Sequence, residues 1–318
     1  MTMKAMARDE YCGPEGLELR DIETPTPKAD EVRVHVRAAG VDQGAWHVLT
    51  GLPLLGRLAF GPRRPRSKLI GMDVAGVVES VGAKVTTLRP GDEVFGVAKG
   101  TFAEYACGKA RTLLPKPENV TFEQAATVAV SGSTALAALQ GIIAGQRVLV
   151  IGAGGGVGSF AVQIATAFGA FATGVCSTSK VEFVRSLGAV AVIDYTKEPL
   201  TGQYDMVLDI AGHRPIPVLR KLVTPRGTLV AVGTEQGGRW AAGLDRNLGM
   251  KIRAPFTRQR LRAPLSIVRP ADLTELSTLL AEGKITPAVD RAYALGDVPA
   301  AITDLREHRV RGKAVIVP

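Results

Sequence analysis

Cysteine is scarce in this chain. Cys12, Cys107 and Cys176 are the only three in 318 residues, and they are far apart and odd in number. Neither a disulfide framework nor a paired-cysteine zinc spacing can be assembled from them, and a reducing compartment is expected. Aromatic residues make up only 5% of the chain, too few for the base-stacking platforms of a single-strand nucleic-acid binder. The first residues, MTMKAMARDEY, lack the apolar core of a secretion signal. The longest uncharged stretch, residues 148–179, is broken by a cluster of glycines that would make a poor spanning helix. It reads instead as strand, turn, helix and strand. A soluble, cytoplasmic protein is expected, with neither a membrane nor a nucleic acid as partner.

What is present is a globular balance. Hydrophobic residues account for 46% and charged residues for 22%, which supports a sizeable core and excludes disorder as the main state. The length suits about two domains. Lys and Arg number 39 against 30 Asp and Glu, a formal charge of +9. The basic residues are scattered, except for Arg57, Arg63, Arg64, Arg66 and Lys68 in one Pro-rich loop. That loop reads as a solvated segment or as a mouth that attracts an anionic cofactor.

Along the first third, Val32, Val34 and Val36 alternate with Arg33, His35 and Arg37, the period of a half-buried strand. Further short valine-rich runs with glycine corners predict a compact antiparallel barrel. Thr121 and Gln124 form a capping-box pattern that opens an Ala-rich helical stretch towards Gln140. From residue 147 onwards apolar strands alternate with helices, which predicts a parallel sheet covered on both faces. The pieces after about residue 250 are too few for a third domain and are expected to complete the first. The expected fold is therefore α/β: a Rossmann-type doubly wound sheet over residues 121–254, and a barrel-like domain over residues 1–120 and 255–318.

The turn at residues 151–158, IGAGGGVG, follows a strand and opens a helix. There the backbone N–H groups of Gly154, Gly155, Gly156 and Val157 and the positive helix end can hold a pyrophosphate. The strict G-x-G-x-x-G pattern, read back from Gly158, fails at Ala153. The second strand ends in Cys176-Ser-Thr-Ser-Lys180, with no acid to bind a ribose 2′-hydroxyl. Ser177, Thr178 and Lys180 offer donors instead, and Ser179 with Glu182 resembles the cap of the next helix. This set suits a 2′-phosphate, so NADP(H) is the expected cofactor.

Taken together, these motifs resemble the medium-chain dehydrogenase/reductases, most closely their zinc-independent quinone oxidoreductase branch. The resemblance also rests on GMDVAGVV at 71–78, PGDEVFG at 90–96, VIDY at 192–195 and GKAVI at 312–316. It implies a GroES-like barrel domain built from both chain ends around an inserted nucleotide domain. It further implies that Lys180 and Tyr195 hold the adenosine 2′-phosphate, and that Thr134, Gly233 and Thr234 lie near the nicotinamide. Zinc-dependent relatives carry a cysteine and a His-Glu pair where this chain has Asp42 and Met72-Asp73, so no metal is expected. His35 and His47 remain conceivable ligands without close partners. Asp42 stands where quinone-type relatives often have Asn. It could donate a proton, orient ribose hydroxyls or simply shape a turn, and His47 is a second candidate acid.

Without a metal to polarise a carbonyl, reduction of a quinone or an α,β-unsaturated carbonyl asks least of the protein. A small apolar substrate of that kind and a homodimeric assembly are expected. Trp46, Leu52, Leu54, Leu55, Phe60 and Phe256 are candidates for an apolar wall, or for ordinary core. The alternatives are a zinc-free alcohol or carbonyl oxidoreductase using Asp42 or His47, and a non-catalytic NADPH-binding protein.

Overall fold

The structure, a computed structural model, describes residues 1–232, 249–250, 257–264 and 267–318. Gly233, Thr234 and Phe256 lie outside the described residues. The chain divides into two compact units, Met1–Ser133 with Ile267–Pro318, and Thr134–Ser266.

The first unit holds a seven-stranded sheet. Its strands are β3 (Glu31–Val41), β4 (Asp73–Val81), β5 (Glu93–Val97), β6 (Tyr105–Lys109), β7 (Leu113–Pro115), β14 (Val289–Ala294) and β15 (Lys313–Val317). Their order is β14-β15-β3-β4-β5-β7, with β6 also on β3, and a separate pair joins β1 (Thr2–Ala7) to β2 (Glu18–Glu23). Pairing is antiparallel except between β14 and β15. The last strand sits directly on β3, with Val315 opposite Gly40, so the two chain ends share one sheet. Val32, Val34 and Val36 point into a core shared with Val74, Val78, Val94 and Ile316, and Arg33, His35 and Arg37 do not. The alternation seen in the sequence is thus the burial pattern of the strand.

In the second unit the strands are β8 (Arg147–Ile151), β9 (Phe171–Cys176), β10 (Ala191–Asp194), β11 (Tyr204–Asp209), β12 (Val223–Ala231) and β13 (Arg260–Arg262). All their pairings are parallel and the order is β10-β9-β8-β11-β12-β13. Counted within the unit this is 3-2-1-4-5-6, the doubly wound Rossmann arrangement. Leu149, Ile151, Val175, Val207 and Leu229 form its core. The helix α5 (Gly156–Ala167) is buried from Gly158 through Ala165, as its uncharged sequence requires. The architecture is the α/β combination of a Rossmann sheet and a GroES-like barrel domain. No described helix is long and apolar enough to cross a membrane.

One helix departs from its sequence signal. The Thr121 capping box is present, with both reciprocal bonds to Gln124, but α3 ends after Phe122–Ala125. A second helix, α4 (Ala129–Leu139), starts afresh where Val130 N–H donates to Asp73 Oδ1 at 2.8 Å. A carboxylate from β4 therefore accepts from the first turn of α4 and permits the break.

A candidate nucleotide site and a buried charge cluster

The chain leaves β8 at the centre of the Rossmann sheet, between β9 and β11. Connections from β8 and β11 run to opposite sides there, and a ligand crevice opens at such a switch point. The turn is tied to β9 by two bonds, since Gly152 N–H and Ala153 N–H both donate to Val175 O at 3.1 Å. Gly152 has φ +91°, which a side chain would strain. A Cβ at Gly158 would stand 2.1 Å from Gly152 O, so glycine alone lets α5 pack this close to the strand. Gly155 is the N-cap of α5 and contributes no side-chain cap. The helix N-terminus is thus left to backbone N–H groups, the arrangement that binds phosphate. The pattern that fails at Ala153 fails harmlessly. The left-handed residue is Gly152, and Ala153 is fully buried, packing against Gly174.

Lys180 folds its aliphatic stem over this turn. Its Cδ lies 2.7 Å from the place a Cβ on Gly154 would occupy. Two residues of the expected site, Gly154 and Lys180, are thereby brought together. The helix that follows does not start as its sequence suggests. Thr178–Lys180 form a 3-10 turn, and Lys180, not Ser179, is the N-cap of α6 (Val181–Ser186), a cap made without a side-chain hydrogen bond to the helix N-terminus.

Thr178 is not the free donor its position implies. Its hydroxyl donates to Asp194 Oδ2 at 2.6 Å, while Thr196 donates to Asp194 Oδ1 through both its N–H (3.0 Å) and its hydroxyl (2.7 Å). These bonds, Thr178 first, hold the Asp194 carboxyl down to about 2. Asp194, at the end of β10, thus commits the Thr178 hydroxyl within the fold. Tyr195 beside it is half exposed, its N–H donates to Cys176 O, and the Arg214 guanidinium stands 5.8 Å from its ring centroid. Arg214 is not singled out by any sequence motif, because no local pattern connects the loop after β11 to Tyr195. Ser177 lies at the mouth of the 3-10 turn and Thr134 is buried in α4.

In the first unit a different constellation forms. Asp73 is fully buried, and its Oδ2 lies 3.5 Å from the Lys313 ammonium, itself only 2% exposed. The two side chains come from strands on either side of β3. A Cβ on Gly40 of β3 would stand 3.1 Å from that same carboxylate oxygen, so glycine leaves room for the pair. Burial, with Asp42 adding, pushes the Asp73 carboxyl up to about 7, against the pull of Lys313 and the Val130 N–H. Asp42 caps α1 (Gln43–Thr50), accepting Ala45 N–H at 2.9 Å on Oδ1, while its buried Oδ2 has no hydrogen-bond partner among the described residues.

The other candidates are dispersed. His47 Nδ1 is 2.8 Å from Leu52 O, and His35 stacks on Tyr105 with centroids 4.9 Å apart. Trp46 packs on the barrel core, with the Arg306 guanidinium 4.8 Å from its ring centroid. Leu52, Leu54 and Phe60 are half buried and Leu55 is exposed. Among the described residues no three His, Cys, Asp or Glu side chains come together as a metal site. Lys313 places a cation against Asp73, where a dication would need an open carboxylate. These residues do not fit zinc.

Residues 28–118 match the alcohol dehydrogenase GroES-like domain, and residues 187–316 match the zinc-binding dehydrogenase family. The quinone oxidoreductase of Pseudomonas aeruginosa is 31% identical, over 97% of this chain and 97% of its own. The NADPH-dependent alkenal/one oxidoreductase, chloroplastic, of Arabidopsis thaliana is 32% identical, over 99% of this chain and 80% of its own. The crystal structure of Escherichia coli quinone oxidoreductase complexed with NADPH superposes with a TM-score of 0.84 at 25% identity, covering 99% of this chain and all of that one. Relatives matched along most of their length, a 3-2-1-4-5-6 sheet and a first-unit sheet that takes in the last strand agree, and the chain belongs to the medium-chain dehydrogenase/reductase superfamily as an oxidoreductase of its quinone oxidoreductase-like branch.

Proposed function

We propose that this protein transfers hydride from NADPH to a quinone or an α,β-unsaturated carbonyl, without zinc. The observation that carries the cofactor reading is the Lys180 stem lying over Gly154, beside the uncapped N-terminus of α5. NADPH, when bound, supplies the hydride. The chain supplies the grip: N–H groups at Gly156 and Val157 for the pyrophosphate, and Lys180, Tyr195 and Arg214 for the 2′-phosphate. Asp194 does not compete as a ribose acceptor, because Thr178 and Thr196 occupy both its oxygens. The substrate name on the relatives supports an acceptor that spreads charge onto an enolate or phenolate oxygen, which hydrogen bonds alone can stabilise.

The test is a titration of NADPH and NADH against the wild type and Lys180→Ala. A charge-assisted contact is worth roughly 1.5–3 kcal/mol, so the variant should bind NADPH about one to two decades more weakly and NADH unchanged. Equal losses for both would show that Lys180 does not read the 2′-phosphate. Turnover should also persist in chelator, and a stoichiometric zinc lost together with activity would contradict the metal-free reading.

One observation favours a second reading. Asp42 Oδ2 is buried and unpartnered, as an acid awaiting a substrate oxygen would be. Asp42→Asn keeps the cap of α1. If turnover collapses in that variant while cofactor affinity holds, Asp42 is the proton donor of a carbonyl reductase.

A further inference from the structure

The Pro-rich loop of the first unit has a surface that the reductase reading does not use. Arg57, Arg63, Arg64, Arg66 and Lys68 fall within the twelve positions 57–68, and no Asp or Glu occurs from residue 43 to residue 72. The loop has a defined shape. Arg66 N–H donates to Phe60 O at 2.8 Å, and the Arg66 guanidinium donates to Ala59 O and Leu58 O, clamping the end of α2 (Arg57–Phe60). Tyr11 anchors the base, donating from its hydroxyl to Gly61 O at 2.7 Å, with the Arg57 guanidinium 4.3 Å from its ring centroid. Lys68 pairs with Asp9 at 2.7 Å. The exposed Arg63 and Arg64 side chains have no hydrogen-bond or ion-pair partner among the described residues.

Beside these cations stand two aliphatic side chains that the fold leaves in water. Leu58 is 71% exposed and Leu55 is 47% exposed. They are three residues apart on one helical turn and so share a face. Exposed leucines add nothing to the recognition of phosphate or of an acidic side chain. Leucines flanked by arginines match the boundary between acyl chains and anionic headgroups, where the aliphatic tips enter the bilayer and the guanidinium groups meet phosphate. We infer that the loop at residues 54–68 docks this protein on an anionic lipid surface, with Leu55 and Leu58 inserted and Arg63 and Arg64 on the headgroups. The sequence reading excludes a membrane partner because no segment spans one. A peripheral contact needs no spanning segment, and it would place the protein where apolar quinones dissolve. The inference stands apart from the proposed reaction, and its test uses no turnover.

The experiment is co-sedimentation of the full chain with vesicles of phosphatidylcholine alone, or of phosphatidylcholine with about 30% phosphatidylglycerol, at low and high salt. Binding is expected only to the anionic vesicles, weakening as salt screens the headgroups. Arg63→Glu with Arg64→Glu should lower the partition coefficient about tenfold or more. Leu55→Ser with Leu58→Ser should lower it about tenfold at unchanged charge. Both double variants should keep the wild-type melting temperature, since neither pair belongs to the core. The wild-type dependence on lipid and salt tests the inference even if a variant fails to fold. No preference for anionic vesicles would overturn it. Loss in the arginine variant with none in the leucine variant would also overturn it, since it would mean charge attraction to headgroups without insertion of the leucines.

Discussion

At the scale of single residues, the nucleotide turn separates two glycines that look alike in sequence. A methyl group at Gly158 meets Gly152 O at 2.1 Å, a backbone atom that cannot move aside, whereas at Gly155 the nearest atom is 3.6 Å away. Gly158→Ala should therefore lower stability by about 1–3 kcal/mol through forced separation of α5 and β8. Gly155→Ala should cost less than about 1 kcal/mol, yet weaken NADPH binding, because it places a methyl group where the pyrophosphate approaches. Thermal unfolding and cofactor titration of the two variants read both effects. Equal destabilisation would contradict this assignment. The strand–turn–helix corner that holds these glycines was legible in the sequence because local spacing carries it. The commitment of Thr178 was not, because Asp194 reaches it from sixteen residues away, across the β9–β10 ladder.

At the scale of elements, most strands of the two sheets were legible from their apolar runs, since burial on one face or two writes itself into composition, whereas the short β6, β7 and β13 carry no such run. The break between α3 and α4 was not legible. It depends on Asp73, a residue 57 positions before the amide that it accepts from. Asp73 also faces Lys313 of β15, so one buried carboxylate serves a helix start and a pair between strands. Its carboxyl is raised from the ordinary 3.8 to about 7, so between these values the folded state holds a proton that the unfolded chain releases. The contribution of this group to stability therefore falls as pH rises from about 4 to about 7. Lys313→Met should sharpen that dependence. Without the ammonium the carboxyl keeps its proton at pH 8, so the loss there should exceed the loss at pH 5 by up to about 1.4 kcal/mol, the cost of one pH unit beyond 7. At pH 5 the carboxyl is protonated with or without Lys313, and this part of the loss is absent. Denaturant unfolding at the two pH values checks this, and an equal loss at both would mean that Asp73 does not carry the proton.

At the scale of the whole molecule, the return of the chain to its first domain was legible because the last segments are too few to bury a core alone. The pairing of β15 with β3 is the physical form of that return. The reaction is less directly written. The glycine turn, the sheet order and Lys180 carry the proposed nucleotide grip, while Asp42 and Asp73, where the sequence resemblance places the ligands of zinc-dependent members, are engaged as a helix cap and an ion pair. In the proposed reaction hydrogen bonds, rather than a Lewis acid, stabilise charge on the acceptor. The most direct measurement is NADPH oxidation with a matched pair, an α,β-unsaturated ketone and its saturated analogue, with the products identified. The account predicts fast reduction of the enone to the saturated ketone and little reaction of the analogue. Comparable rates on the two, or an allylic alcohol as the product of the enone, would contradict it.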